Sequence, residues 1–179
     1  MLEGLGLDPQ HPELLETPAR VTQAWRDEFL SGYEQSPETP LKERFPDGGG
    51  GPVIVTHLHF ISVCPHHLLP YAGVAHLAYL PTAGVVGLSR LSALVDCLAR
   101  RLVLQETLTA QVAQALLIHA DSAGSACVLQ ASQGCVSLRG ARQLHAQATT
   151  AAWAGAFATD ETLRLLFLSA LPGGVTKTT

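Results

Sequence analysis

Cys64-Pro65-His66-His67, answered 71 residues later by Cys135, constrains this chain more than any other feature. Two thiols and an imidazole form a borderline-soft ligand set suited to Zn²⁺. Three protein ligands rather than four would leave one position for water, the arrangement of a catalytic zinc. If one ion is shared, the two segments must end at the same point in the fold. Cys64 and His67 sit on a tight segment after a strand pattern, so their side chains can converge. Spacing alone leaves the alternative open: Cys64 as a buried free thiol beside two surface histidines, and Cys135 packed into a core. Cys97 and Cys127 lie inside apolar patterns and read as core.

The chain has 179 residues, enough for one domain with a real core. Its 47% hydrophobic content against 15% charged residues hints at buried subunit contacts. A net charge of −4 and a pI near 6.0 provide no basic footprint for nucleic acid. An anionic small substrate would need locally placed arginines instead of a global field. Met1-Leu2-Glu3-Gly4 carries neither a basic n-region nor an apolar h-region, and no apolar run approaches about 18 residues. Neither a signal peptide nor a membrane span is expected. Four cysteines then favour a reducing, cytoplasmic setting.

Residues 8–33 read as helical, with Thr17 as a hydroxyl N-cap, Pro18 in the first turn, and Val21, Trp25 and Phe29 on one face. Asp47 to Gly51 reads as a flexible loop. From Val53 the period becomes two: Val53, Val55, His57, His59 and Ile61 alternate with Ile54, Thr56, Leu58 and Phe60, predicting a strand that delivers Cys64 at its end. Ala72 to Leu80 predicts its antiparallel neighbour. Ser89 is expected to cap a helix with Leu91, Leu94, Val95 and Leu98 on one stripe. A second helix carries Leu108, Val112, Ala115, Leu116 and His119. Strands are expected near 126–137 and 146–158, and a last helix near 160–170. Paired strands with helices between them argue for an α+β fold with an antiparallel sheet. The expected division is an N-terminal helical segment and Gly-rich loop over 1–51, a catalytic domain over 52–170, and a flexible tail over 171–179.

Other residues could carry chemistry. His66, beside a metal-binding His67, would point elsewhere and could move protons near neutral pH, or could be a plain surface histidine. Glu106, where a helix should begin, suits a dipole complement, or a carboxylate accepting two hydrogen bonds from the guanine edge. Ser89-Arg90 and Arg139-Gly140 offer groups suitable for phosphate. His57, His59 and His76 read as structural.

Together these segments resemble the GTP cyclohydrolase I family over most of residues 12–170. The matching motifs are Thr17-Pro18-Ala19-Arg20-Val21, then Cys64 to Pro70, Gly73 to Pro81, Val86 to Arg90, Gln105 to Thr109, and Cys135 to Gly140. The resemblance implies the tunnelling fold, a four-stranded antiparallel sheet with two helices on one face. It also implies assembly as a homodecamer of two stacked pentamers, with active sites between subunits. It implies zinc held by Cys64, His67 and Cys135, with His66 and position 133 (here Gln133) as the catalytic side chains. Glu106, with its neighbour Gln105, would hold the guanine edge, while Ser89, Arg90, Arg139 and Arg20 would meet the triphosphate. The implied reaction opens the purine imidazole ring of GTP at C8, with zinc polarising the water, then releases formate and forms 7,8-dihydroneopterin triphosphate.

The chain departs from that family at four places. Gln133 stands where the family has a histidine, and an amide cannot titrate. Ala93 stands where the family has an arginine, removing a charge-assisted phosphate contact. Pro65 replaces a glutamate, and Arg90 replaces a lysine. Three alternatives follow: an enzyme that stops at the formamidopyrimidine, one that takes a less phosphorylated purine or pterin, or a non-catalytic purine-binding paralogue.

Overall fold

A computed structural model describes residues 1–46 and 50–172. From the N-terminus the elements are α1 (Thr17–Ala24), β1 (Arg44–Phe45), β2 (Val53–Val63), β3 (Pro70–Pro81), β4 (Val85–Val86), α2 (Leu88–Ala99) and α3 (Gln105–His119). They continue with β5 (Ser122–Gln133), a helical turn α4 (Gly134–Ser137), β6 (Ala148–Gly155), a second turn α5 (Ala156–Thr159) and α6 (Glu161–Ser169). Four strands form one antiparallel sheet in the order β2-β3-β5-β6, and β1 pairs with β4 in a separate two-stranded piece. This is the expected α+β architecture.

The stripes of α2 and α3 pack on one face of that sheet. Leu91, Leu94, Leu108, Val112 and Leu116 are buried there against Phe60, Leu77, Tyr79 and Leu129. Each such leucine contributes about 1.5–3 kcal/mol by leaving water. The opposite face is also covered at one end, where Phe157 and Phe167 from α5 and α6 pack on Ala78, Ala126 and Val128. Residues 75–79 of β3 are therefore buried on both faces, and burial there shows no alternation.

The expected alternation along β2 breaks at a bulge. The pairing register slips between Val55 and Leu58, with His57 at φ 62°. Val53, Val55, Leu58 and Phe60 thus share the helix-covered face, while His57 and His59 are exposed. One extra residue on a strand shifts every later side chain to the other face.

Helix starts also differ from expectation. Of residues 8–33, only Thr17–Ala24 is α-helical, followed by a π turn at Trp25–Phe29 and a 3₁₀ turn at Ser31–Glu34. Thr17 is inside the helix, Glu16 occupies the cap position, and no side chain caps it. Pro18 at the first helical positions already sets the backbone without a hydroxyl bond. In α2 the cap position belongs to Gly87, with φ −61° and ψ 143°, and Ser89 lies exposed in the first turn. Strand β4 ends immediately before Gly87, so the extended-to-helical switch happens there, ahead of the serine. Asp160 does cap α6, accepting from the backbone N–H groups of Thr162 at 2.8 Å and Leu163 at 3.3 Å.

The N-terminal segment is tied to the sheet and helices. Gly32 donates its N–H to the Arg100 carbonyl at 3.0 Å, and Leu41 is wholly buried in the main core. A side chain at Gly32 would approach the Cys97 carbonyl to 2.2 Å, so this contact requires glycine. Residues 47–49 of the expected glycine loop and 173–179 of the expected tail lie outside the described residues. Among the described residues, no helix is long and apolar enough to cross a membrane.

Candidate metal centre and active site

Strand β2 ends at Val63, and from Cys64 the chain turns back within six residues to begin β3 at Pro70. Two backbone bonds close that turn: Cys64 N–H to the Leu69 carbonyl and Leu68 N–H to the Cys64 carbonyl, each 3.0 Å. Leu68 takes the left-handed conformation at φ 52°, uncommon for a residue with a branched side chain. Cys64 is buried beneath the turn, and His66 and His67 are exposed upon it, their rings perpendicular at 6.4 Å between centroids.

The answering cysteine arrives differently from expectation. Strand β5 stops at Gln133 rather than running to 137, and Cys135 sits in the helical turn α4. A side chain at position 134 would meet the Pro70 carbonyl at 2.4 Å, so glycine alone lets this turn close against the start of β3. One ligand atom each from Cys64, His67 and Cys135 then lies within 4.8 Å of the others. A tetrahedral zinc spaces such ligands about 3.5–4 Å apart, so the trio fits the ion with small side-chain adjustments. Among the described residues no other trio of such side chains gathers as closely.

Beside the trio lies a cavity of about 210 Å³, lined by Cys64, His66, Gln105, Glu106, Gln133 and Cys135, with Tyr71 on its wall. Glu106 is exposed in the first turn of α3, where it also complements the helix dipole, and it makes no capping bond. Gln105 is buried. Its side-chain nitrogen donates to the Leu129 carbonyl at 3.2 Å, the Ala148 carbonyl at 3.0 Å and Thr150 Oγ1 at 3.2 Å. Gln133 Nε2 donates to Gln105 Oε1 at 2.6 Å, joining β5 to the start of α3. Tyr71, which sequence reasoning missed, is buried and donates to the Val103 carbonyl at 3.0 Å. Burial pushes its pKa up to about 12, helped by the charges of Cys64 and Glu106 and opposed by a bond with Ser62. It remains a neutral hydroxyl at the wall. Its place at the first inward step of β3, after Pro70, is the only sequence signal for it.

The phosphate candidates lie elsewhere in the single chain. Ser89 and Arg90 are exposed at the start of α2, and Arg90 pairs with Glu43 at 2.9 Å. Arg90 and Ala93 line a separate hollow of about 340 Å³. Arg20 is exposed on α1 and pairs with Glu16. Arg139 is exposed just beyond α4. A larger apolar groove of about 870 Å³ runs between α1 and the Cys64 turn, sharing only His67 with the trio.

Cys97 and Cys127 are buried, as their apolar surroundings suggest. Burial pushes the Cys127 thiol up strongly, and pushes Cys97 up against the pull of Arg101. Both are inert packing groups. His76 is wholly buried, its ring 5.3 Å from that of His57, and its Nδ1 accepts from the His57 N–H at 3.4 Å.

Comparison with known proteins matches residues 1–171 to the family model described as GTP cyclohydrolase I. The GTP cyclohydrolase 1 of Campylobacter jejuni subsp. doylei is 43% identical over 171 residues, covering 94% of this chain and 89% of the relative. That of Corynebacterium glutamicum (strain R) is 39% identical over 175 residues, covering 97% of this chain and 89% of the relative. Among solved structures, the apo archaeosine synthase QueF-Like superposes with a TM-score of 0.50 at 15% identity, covering 60% of this chain and 96% of the other. That last likeness concerns the fold alone.

Proposed function

Because the chain belongs to the GTP cyclohydrolase I family, we propose that it opens the imidazole ring of GTP at C8, releases formate and forms 7,8-dihydroneopterin triphosphate. The observation that carries this is the convergence of Cys64, His67 and Cys135 beside a cavity whose wall also bears Glu106. Zn²⁺ held by that trio would supply Lewis-acid polarisation of the attacking water.

The chain's own residues account for substrate binding and for the proton transfers of ring opening. Glu106 accepts from guanine N1–H and the 2-amino group, a bidentate, charge-assisted contact that orients C8 toward the trio. His66 takes the proton of the attacking water as the C8–O bond forms, and returns it to N9 as the C8–N9 bond breaks. A second water then splits C8 from N7 as formate, the ribose opens and rearranges to a C2′ ketone, and the freed N7 amine condenses with C2′, losing water, to close the dihydropterin ring. Gln105 backs this wall of the cavity through its bond to Gln133. Ser89, Arg90, Arg139 and Arg20 meet the triphosphate in this reading, which requires neighbouring copies to deliver those that lie off the cavity. The open edges of β2 and β6 and the exposed Leu88, Leu138 and Leu165 support assembly, read here as a homodecamer of stacked pentamers. The enzyme works in the cytoplasm on a nucleotide, with no nucleic-acid or membrane partner.

The test is incubation of zinc-loaded protein with GTP, following formate and the fluorescence of the oxidised pterin. Both should appear in equal amounts, and the absence of both would sink the reading. A second reading is favoured by one observation: Gln133, an amide held by Gln105, cannot relay a proton. The reaction would then stop at the formamidopyrimidine, seen as GTP consumed with neither formate nor pterin.

A further inference from the structure

The polarity of Gln133 is set by its neighbours. Gln105 faces the backbone carbonyls of Leu129 and Ala148 at 3.2 and 3.0 Å, and carbonyls only accept. The atom of Gln105 that faces them is therefore its nitrogen, and its oxygen turns to Gln133. At 2.6 Å from that oxygen, the facing atom of Gln133 must be its own donor nitrogen. Amide orientation is here dictated by the network. Gln133 lines the cavity, and the polar atom it has left to offer there is its carbonyl oxygen, which takes no hydrogen bond from the described residues. A histidine at this position could present either polarity; the tethered amide presents only an acceptor.

A ligand group at that point must donate. On GTP the donors are few: N1–H, the 2-amino group and the two ribose hydroxyls, since the ionised triphosphate brings acceptors only. Glu106 takes N1–H and one N–H of the 2-amino group in the reading above, and the second amino N–H lies on the end of the base remote from C8 and so from the Cys135 end of the cavity. O6, N7, N3 and the ribose ring oxygen would meet Gln133 lone pair to lone pair. The ribose hydroxyls remain. We propose that Gln133 Oε1 accepts a hydrogen bond from the 2′- or 3′-hydroxyl of the nucleotide, making Gln133 the residue that selects ribose over deoxyribose. This rests on GTP being the ligand of the cavity.

Calorimetric titration of the zinc-loaded protein tests it without turnover, using 7-deaza-GTP, whose C8 is no longer part of a hydrolysable amidine, with its 2′-deoxy and 3′-deoxy forms. The wild type should bind one deoxy form about tenfold more weakly than the parent, the effect of one neutral hydrogen bond. In Gln133→Met all three should bind within about twofold of one another. Should that variant fail to fold, Gln133→Asn, whose oxygen is drawn back by one methylene, carries the same expectation. Equal binding of all three by the wild type overturns the proposal, as does undiminished discrimination in the variant. If the wild type binds none of them, the GTP reading itself has failed, an outcome distinct from binding without sugar discrimination.

Discussion

In the reading proposed above, the turn at Cys64 and the start of α2 serve the two ends of the substrate, and they are built on opposite plans. At the first, strand ends, a left-handed leucine and a glycine at 134 hold two sulfurs and an imidazole in place through backbone geometry. At the second, Ser89 and Arg90 sit exposed on a helix without a side-chain cap, and the arginine is held only by an exposed ion pair with Glu43. Such pairs contribute little, about 0–1 kcal/mol, and exchange readily for another anion. The difference teaches that the proposed chemical end is preorganised within one chain, whereas the proposed phosphate end is an exposed surface that the single chain leaves open.

If that contrast is right, damage at the turn should far exceed damage at the helix. Cys135→Ser should abolish stoichiometric zinc and lower formate release by on the order of a thousandfold, more than the ~10–100-fold lost with an outer-shell partner. Metal analysis beside formate assay reads both, and retained zinc with retained turnover would break the comparison at its strong end. Glu106→Ala should come next, lowering kcat/KM for GTP by about a hundredfold through two lost charge-assisted bonds. An unchanged kcat/KM would return Glu106 to the role of a dipole complement. Arg90→Ala should cost less than about tenfold in KM for GTP and nothing for guanosine, because its charge is already shared with Glu43. A hundredfold loss would show the phosphate end to be as preorganised as the metal end.

His76 belongs to neither region and should have the smallest effect. Burial first, then neighbouring His57, pushes its pKa below the ordinary 6.5, against a weaker opposing pull from Gln130. The unfolded chain then takes up the proton more readily than the folded one. Stability is full above about pH 6.5, declines as pH falls from there through the depressed value, and levels off below it. Thermal unfolding of wild type and His76→Leu between pH 7.5 and 5 would show this as a slope that the variant lacks. Parallel slopes would remove His76 from the account.

Much of the fold was legible from periodicity. The strand after Val53, the stripes of α2 and α3 and the last helix all stand where patterning put them, because burying one face is a demand written residue by residue. The bulge at His57 was not, since a strand pattern reads the same whether or not the partner strand skips a residue. The caps at Thr17 and Ser89 misled for a related reason: hydroxyls are good caps only where the preceding chain leaves them at the boundary, and Pro18 and strand β4 moved those boundaries upstream. The second helical layer formed by α5 and α6 also went unforeseen, because a short apolar helix does not announce which face of a sheet it will cover.

At the site, the donor chemistry of Cys64, His67 and Cys135 was present in the one-dimensional string, since ligand softness and number are properties of residue types. Their meeting was not, and neither was the bond that aims Gln133. Both depend on how closely Gly134 lets one strand end approach another, and on which carbonyls face Gln105 across the sheet. Residue identity sets what a side chain can do, but distance and direction between segments 71 positions apart arise only when the chain is folded.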